Sequence, residues 1–161
     1  MSSQVLSEQT SGVQAFVALL RAHAALTRRL NAQLTADHGL TISDFEVLLR
    51  LARAPERRLR RVDLARQVVL TASGVTRLLD GLERSGLVER DSCDSDRRVV
   101  YAVLTDTGQA KLAEAAGSHF EQIDEVLGAR FDEAEREQLT SLLGRLEELD
   151  VDLPCDPVPA G

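Results

Sequence analysis

Thr71, Ser73, Thr76 and Arg77 fall in one short run, Thr71-Ala72-Ser73-Gly74-Val75-Thr76-Arg77. Short hydroxyls and one long guanidinium set around a glycine can hydrogen-bond an acceptor-rich surface. The hydroxyls suit phosphate oxygens or base edges, and Gly74 lets a backbone approach closely. The fork of Arg77 matches guanine O6 and N7. Arg77 has a competing partner in Asp80, three residues on, and Thr71 can also serve as a plain helix cap. Asp96-Arg97-Arg98 is a second donor cluster, inside the polar stretch 91–98. Adjacent strand residues point to opposite faces, so only one of the two arginines can aim straight at a ligand. Arg57, Arg58, Arg60 and Arg61 form a third basic run, suited to phosphate contact or to an ordinary charged loop.

Catalytic chemistry has no comparable foothold. Ser73-Gly74 opens a helix and is not a nucleophile elbow. No nucleophile–base pair and no phosphate-cradling glycine loop occurs, so no catalytic residue and no enzyme is expected. His23, His38 and His119 are scattered without i,i+4 pairing. Cys93 and Cys155 lack ligand or redox spacing. Neither a metal site nor a cofactor is expected; Cys93 reads as inert, the alternative being a thiol in the hairpin turn whose oxidation could disturb the contact made there.

The elements that must position these residues are mostly helical. Val13 to Asp37 reads as one long helix with Val13, Phe16, Val17, Leu20, Leu26, Leu30 and Leu34 apolar, ended by His38-Gly39. Ser43-Asp44-Phe45-Glu46 reads as a capping box for a second helix to about Arg53, with Ile42 and Val47 at the staple positions. Glu56 to Leu59 reads as a charged turn. A short third helix, about Arg61 to Val68, and a fourth, from Thr71 or Ala72 to Ser85, are joined by a tight connection. That is a helix-turn-helix arrangement. Val75, Leu78, Leu79 and Leu82 are the fourth helix's buried stripe. The period then changes. Residues 87–90 and 99–104 read as strands of a hairpin around the turn 91–98. Thr105 caps a fifth helix to about Ala129. Asp132-Glu133-Ala134-Glu135 opens a sixth, with Leu139, Leu142, Leu143, Leu146 and Leu149 apolar.

Net charge is −7, yet the acid is concentrated in the last third, so the middle of the chain can still face phosphate. Residues 1–42 carry three basic and two acidic residues, residues 43–104 twelve and ten, and residues 105–161 four and fourteen. Screening limits each charge to roughly 8–10 Å, so local clustering decides. No apolar run approaches the roughly 20 residues of a membrane span. Met1 to Thr10 lacks a secretory layout, so the cytoplasm is the expected location and no membrane partner is expected.

The runs Val62-Asp63-Leu64-Ala65, Thr76-Arg77-Leu78-Leu79-Asp80-Gly81-Leu82-Glu83 and Gly86-Leu87-Val88-Glu89-Arg90 resemble the multiple-antibiotic-resistance regulator (MarR) family. So do Asp96-Arg97-Arg98 and the exit Val103-Leu104-Thr105 with Gly108. The order of elements resembles that family from about residue 13 to 149. The resemblance implies a mainly α fold with a small β-hairpin wing, a winged helix-turn-helix with long dimerisation helices. It also implies a sequence-specific transcription regulator of double-stranded DNA, usually a repressor and often released by a small molecule. Arg98 would be the wing residue inserted into the minor groove, with Asp96 holding its guanidinium.

The parts then read as a dimerisation helix over 1–42, a DNA-binding domain over 43–104, dimerisation helices over 105–149 and a flexible tail over 150–161. Thr71, Ser73, Gly74, Thr76 and Arg77 would face the major groove, and Asp96, Arg97 and Arg98 the wing contact. Val13, Phe16, Leu139, Leu142, Leu146 and Leu149 would seal a homodimer. A pocket for a small aromatic or anionic effector is expected where the dimer helices meet the second helix, from residues 23–30 and 45–49. Arg28 or Arg29 could pair with an anion there, though a solvated face or phosphate contacts suit these two arginines better. The alternative is a helical dimerisation adaptor without DNA binding, which would have no need of Arg77, Arg97 and Arg98.

Overall fold

The computed structural model describes residues 10–68, 72–92 and 99–147. Helix α1 (Ser11–His38) starts at Thr10, whose hydroxyl accepts from the Val13 amide, and stops at Gly39, where φ is 68°. Only glycine takes that left-handed conformation without steric cost. Asn31 Oδ1 accepts from the Ile42 amide at 3.0 Å, and Thr35 Oγ1 donates to the Leu40 carbonyl at 3.2 Å. These two bonds sew the turn to the helix before it.

Helix α2 (Ile42–Arg53) begins two residues earlier than the Ser43 box would have it. Thr41 Oγ1 accepts from Asp44 N at 3.1 Å, and Asp44 Oδ2 accepts from Thr41 N at 2.9 Å. Both Thr41 and Ser43 have an acid three residues on. The earlier start wins because it puts Leu40 and Phe45, both buried, at the flanking apolar positions. Glu46 is then released to bind Arg50, 2.7 Å away.

The charged stretch after α2 is more than a turn. A short 3-10 segment, Pro55–Arg57, leads into strand β1 (Arg58–Arg60), then helix α3 (Arg61–Gln67) and helix α4 (Ala72–Arg84). Strands β2 (Val88–Ser92) and β3 (Val100–Leu104) form the hairpin. The sheet is antiparallel with order β1-β3-β2; Leu59 pairs with Ala102, and Arg90 also pairs with Ala102 from the other side. A strand of three residues has no period of its own, so pairing with β3 is what makes β1 a strand.

Helix α5 (Asp106–Gly128) starts beneath this sheet. Thr105 Oγ1 donates to the Gly86 carbonyl at 2.7 Å and accepts from the Gly108 amide at 2.9 Å. The core joins Phe45, Val47, Leu48 and Leu51 of α2 to Leu64, Val75, Leu79 and Leu82 of α3 and α4, to Val88, Ala102 and Leu104 of the sheet, and to Leu112 and Ala115 of α5. Near the end of α1, His38 Nε2 lies 2.7 Å from Ser118 Oγ, and Phe45 packs edge-on to His119 at 4.8 Å.

The chain divides into two compact units between Phe120 and Glu121, and that core belongs to the first. In the second, helix α6 (Glu133–Glu147) opens on a reciprocal box. Asp132 N donates to Glu135 Oε2 at 3.0 Å, and Glu135 N to Asp132 Oδ1 at 2.9 Å. Among the described residues, no helix is long and apolar enough to cross a membrane.

Candidate nucleic-acid interface

Helix α4 is sharply two-faced. Val75, Leu79 and Leu82 are buried, while Ser73, Thr76 and Arg77 are exposed and Gly74 is half-buried. Spacings of three and four put the apolar set on one stripe, which leaves the polar set facing out. Arg77 makes no hydrogen bond or ion pair with any described residue. Its expected competitor, Asp80, is held instead by Arg90 of β2. One Arg90 nitrogen, Nη2, binds Asp80 Oδ1, and Nε binds Glu83 Oε1 at 2.5 Å. The Glu83 hydrogen bond is the main reason the Arg90 pKa is raised above its ordinary value, against a smaller opposing effect of desolvation.

Thr71 lies outside the described residues, as do Asp96, Arg97 and Arg98 of the wing and Leu149 of the dimerisation set. Strands β2 and β3 bracket residues 93–98, so the hairpin itself is in place on either side of the expected contact.

The basic run before α3 is largely committed within the fold. Arg57 binds Asp106 at 3.0 Å, and Arg60 binds Asp63 at 2.7 Å. Arg58 lies 4.0 Å from the centroid of the Tyr101 ring and 3.3 Å from Asp91. One terminal nitrogen of Arg61, Nη2, is buried without a partner among the described residues. Arg57, Arg58 and Arg60 thus each have a partner within the fold, which neither reading of a phosphate-facing run or an ordinary charged loop had named.

The expected dimerisation residues are exposed. Phe16 is 60% accessible, and Val13, Leu139, Leu142 and Leu146 are also open to solvent. Leu34 is the one residue of α1 buried in this chain, although the helix is 28 residues long. Two of the residues expected to line an effector pocket share a cleft within the chain. A cleft of about 470 Å³ is lined by Glu46, Leu49, Arg50, Arg53, Ala54, Pro55, Leu59 and Gln67. It takes two residues from 45–49 and none from 23–30. Arg28 and Arg29 lie exposed on α1.

The chain is 35% identical over 113 residues to the HTH-type transcriptional repressor YetL of Bacillus subtilis, an overlap of 70% of this chain and 67% of YetL. The family model described as MarR family matches residues 40–100. The chain belongs to the MarR family. The homoprotocatechuate degradative operon repressor of Escherichia coli is 32% identical over 127 residues, 79% of this chain and 83% of that one. Sco3205 of Streptomyces coelicolor, a MarR family transcriptional regulator solved in complex with DNA, has 28% identity and a TM-score of 0.79. That match covers 96% of this chain and 94% of Sco3205.

This MarR-family chain is a DNA-binding transcriptional regulator with a winged helix-turn-helix fold. The adaptor alternative finds no support among these relatives. The matched stretch 40–100 runs from the start of α2 into β3, the part that carries Arg77. What sequence reasoning missed is the grip of Arg90 on Asp80 and Glu83. The signal was available: two acids three apart on α4, and an arginine early in the strand that follows.

Proposed function

We propose that the chain is a cytoplasmic repressor, without catalytic activity, that binds a near-palindromic operator as a homodimer. Helix α4 enters the major groove, where Thr71, Ser73, Gly74 and Thr76 approach phosphates and base edges and Arg77 reads a base. The observation that carries this reading is the Arg77 guanidinium, exposed on α4 and unpaired among the described residues. An arginine left open on a helix whose opposite face is core is positioned to spend its donors on a ligand. The wing, with Asp96, Arg97 and Arg98, adds a second contact, in which Arg98 enters the minor groove and Asp96 orients it.

The apolar face of α1 supports the homodimer. Val13, Phe16, Leu19 and Leu20 are exposed along one helix, and an uncovered stripe of that kind marks an association surface. Leu139, Leu142, Leu146 and Leu149 complete the interface. A small aromatic or anionic effector releases the repressor by favouring one spacing of the two α4 helices over another. A relative named for an operon that degrades homoprotocatechuate, an aromatic acid, supports that ligand class.

The test is selection of bound fragments from random duplex DNA with the purified chain. The expected sites have dyad symmetry with half-sites roughly 34–36 Å apart. Sites without symmetry overturn the dimeric reading, and failure to enrich any sequence overturns base reading.

A further inference from the structure

Asp80 lies one helical turn beyond Arg77 on α4, within ordinary reach of its guanidinium. The pair does not form. Arg90 enters from β2 and holds Asp80 Oδ1 through Nη2, while its Nε is bound to Glu83 Oε1 at 2.5 Å. Arg77 is left exposed and unpaired among the described residues.

We propose that Arg90 is a positioning residue for base reading: by occupying Asp80 it keeps the Arg77 guanidinium available to the base edge, and so sets specificity without touching DNA. The inference rests on the reading of Arg77 as the base-reading side chain. Two charge-assisted bonds to two acids hold Arg90 more firmly than a single i,i+3 pair on an open helix would hold Arg77. Remove Arg90, and Asp80 is an unpaired carboxylate beside the nearest uncommitted cation. Arg77 then lies along its own helix and not toward the groove. Asp80 and Glu83 also lose their counter-charge, and their repulsion of phosphates weakens binding to every sequence alike. Capture of Arg77, by contrast, removes preference at one base pair. The two effects separate in the measurement.

The experiment compares binding to the selected duplex and to its single-base variants at fixed salt. Arg90→Ala is expected to cut discrimination at the base pair sensitive to Arg77→Ala by about tenfold. Adding Asp80→Asn to Arg90→Ala should restore discrimination to within about twofold of the parent, because the captor is gone. Adding Glu83→Gln should not, since Glu83 lies six residues from Arg77 on a different face. Restoration by Asp80→Asn is the readout a purely structural clamp would not give, because that double variant lacks the clamp as well.

Arg84, whose Nε donates to the Asp80 carbonyl at 3.1 Å, is the one stand-in for Arg90 within reach on α4. If Arg90→Ala keeps discrimination, Arg90→Ala with Arg84→Gln must lose it; retention in both overturns the proposal. Loss in Arg90→Ala that Asp80→Asn does not repair also overturns it. If Arg77→Ala in the otherwise unchanged protein leaves every base preference intact, the reading of Arg77 falls, and this proposal with it.

Discussion

Gly108 of α5 passes so close to Leu87 that a methyl group on its Cα would sit 2.0 Å from the Leu87 carbonyl oxygen. That oxygen already accepts the Thr105 amide at 3.2 Å, so it is backbone fixed on both sides and cannot retreat cheaply. Replacing a helical glycine by alanine ordinarily stabilises by roughly 0.5–1 kcal/mol. Here the clash reverses the sign. Gly108→Ala should cost about 1–3 kcal/mol or more, read as a lower urea midpoint. Gly81→Ala on α4, where an added methyl meets nothing within 4 Å, should be neutral to stabilising. Equal behaviour of the two variants would show that α5 does not approach Leu87 this closely.

The start of α2 offers a second test, because two overlapping boxes compete there. Thr41→Ala removes the bond to the Asp44 amide and should cost about 0.5–2 kcal/mol. Ser43→Ala, inside the first turn, should cost little. Chemical denaturation of both variants decides between the two starts. A larger loss for Ser43→Ala would move the helix start to Ser43.

His119 gives a pH dependence whose sign can be worked out. Its pKa is lowered, first by desolvation and then by the neighbouring His38. As pH falls, the unfolded chain therefore takes up this proton before the folded chain does. The stability tied to neutral His119 is complete above the unfolded value of about 6.5. It declines as pH falls from there through the lowered folded value. His119→Phe keeps an aromatic ring beside Phe45 and removes the proton site. Its urea midpoint should fall less than the parent's between about pH 7 and 5.5. A parallel decline in both proteins would mean that other groups set the slope.

The α1 stripe predicts the response of the assembly. Phe16→Glu places a charge where the interface is expected to be apolar, forfeiting the roughly 1.5–3 kcal/mol of a buried aromatic and adding a desolvation cost. Sedimentation at micromolar concentration should show more monomer, and binding to a dyad operator should drop toward that of a half-site. Phe16 is exposed and outside the core cluster, so the packing within each chain should change little. An unchanged dimer would place the interface elsewhere.

The buried stripe of α4 is legible because Val75, Leu79 and Leu82 repeat at helical spacing, and the same pattern leaves Arg77 facing out; Leu78, expected in that stripe, is only half-buried at its edge. The fifth helix's entry was legible in Thr105, whose hydroxyl caps as read. Other features depend on partners the local sequence does not name. Arg57, Arg58 and Arg60 look alike as a basic run. What distinguishes them is Asp106, 49 residues from Arg57, the Tyr101 ring under Arg58, and Asp63 beside Arg60. Glu56 to Leu59 reads as a turn because only the register with β3 makes Arg58–Arg60 a strand. Asp80 carried both a true relationship and a false one: it does bind an arginine, and the arginine belongs to the following strand.

The sheet order β1-β3-β2 puts the last strand made in the middle. During synthesis β1 therefore waits without a neighbour while α3, α4 and β2 are added after it. The β2–β3 hairpin closes over a short loop, and only then does a lattice edge exist for Arg58–Arg60 to join. Closing the longer loop from β1 costs more chain entropy than closing the hairpin. Neither β1 nor β2 can pair until β3 has been made, whereas α3 and α4 precede both hairpin strands in the chain. Ribosome-bound chains ending before residue 100 would lack the one strand that both others require.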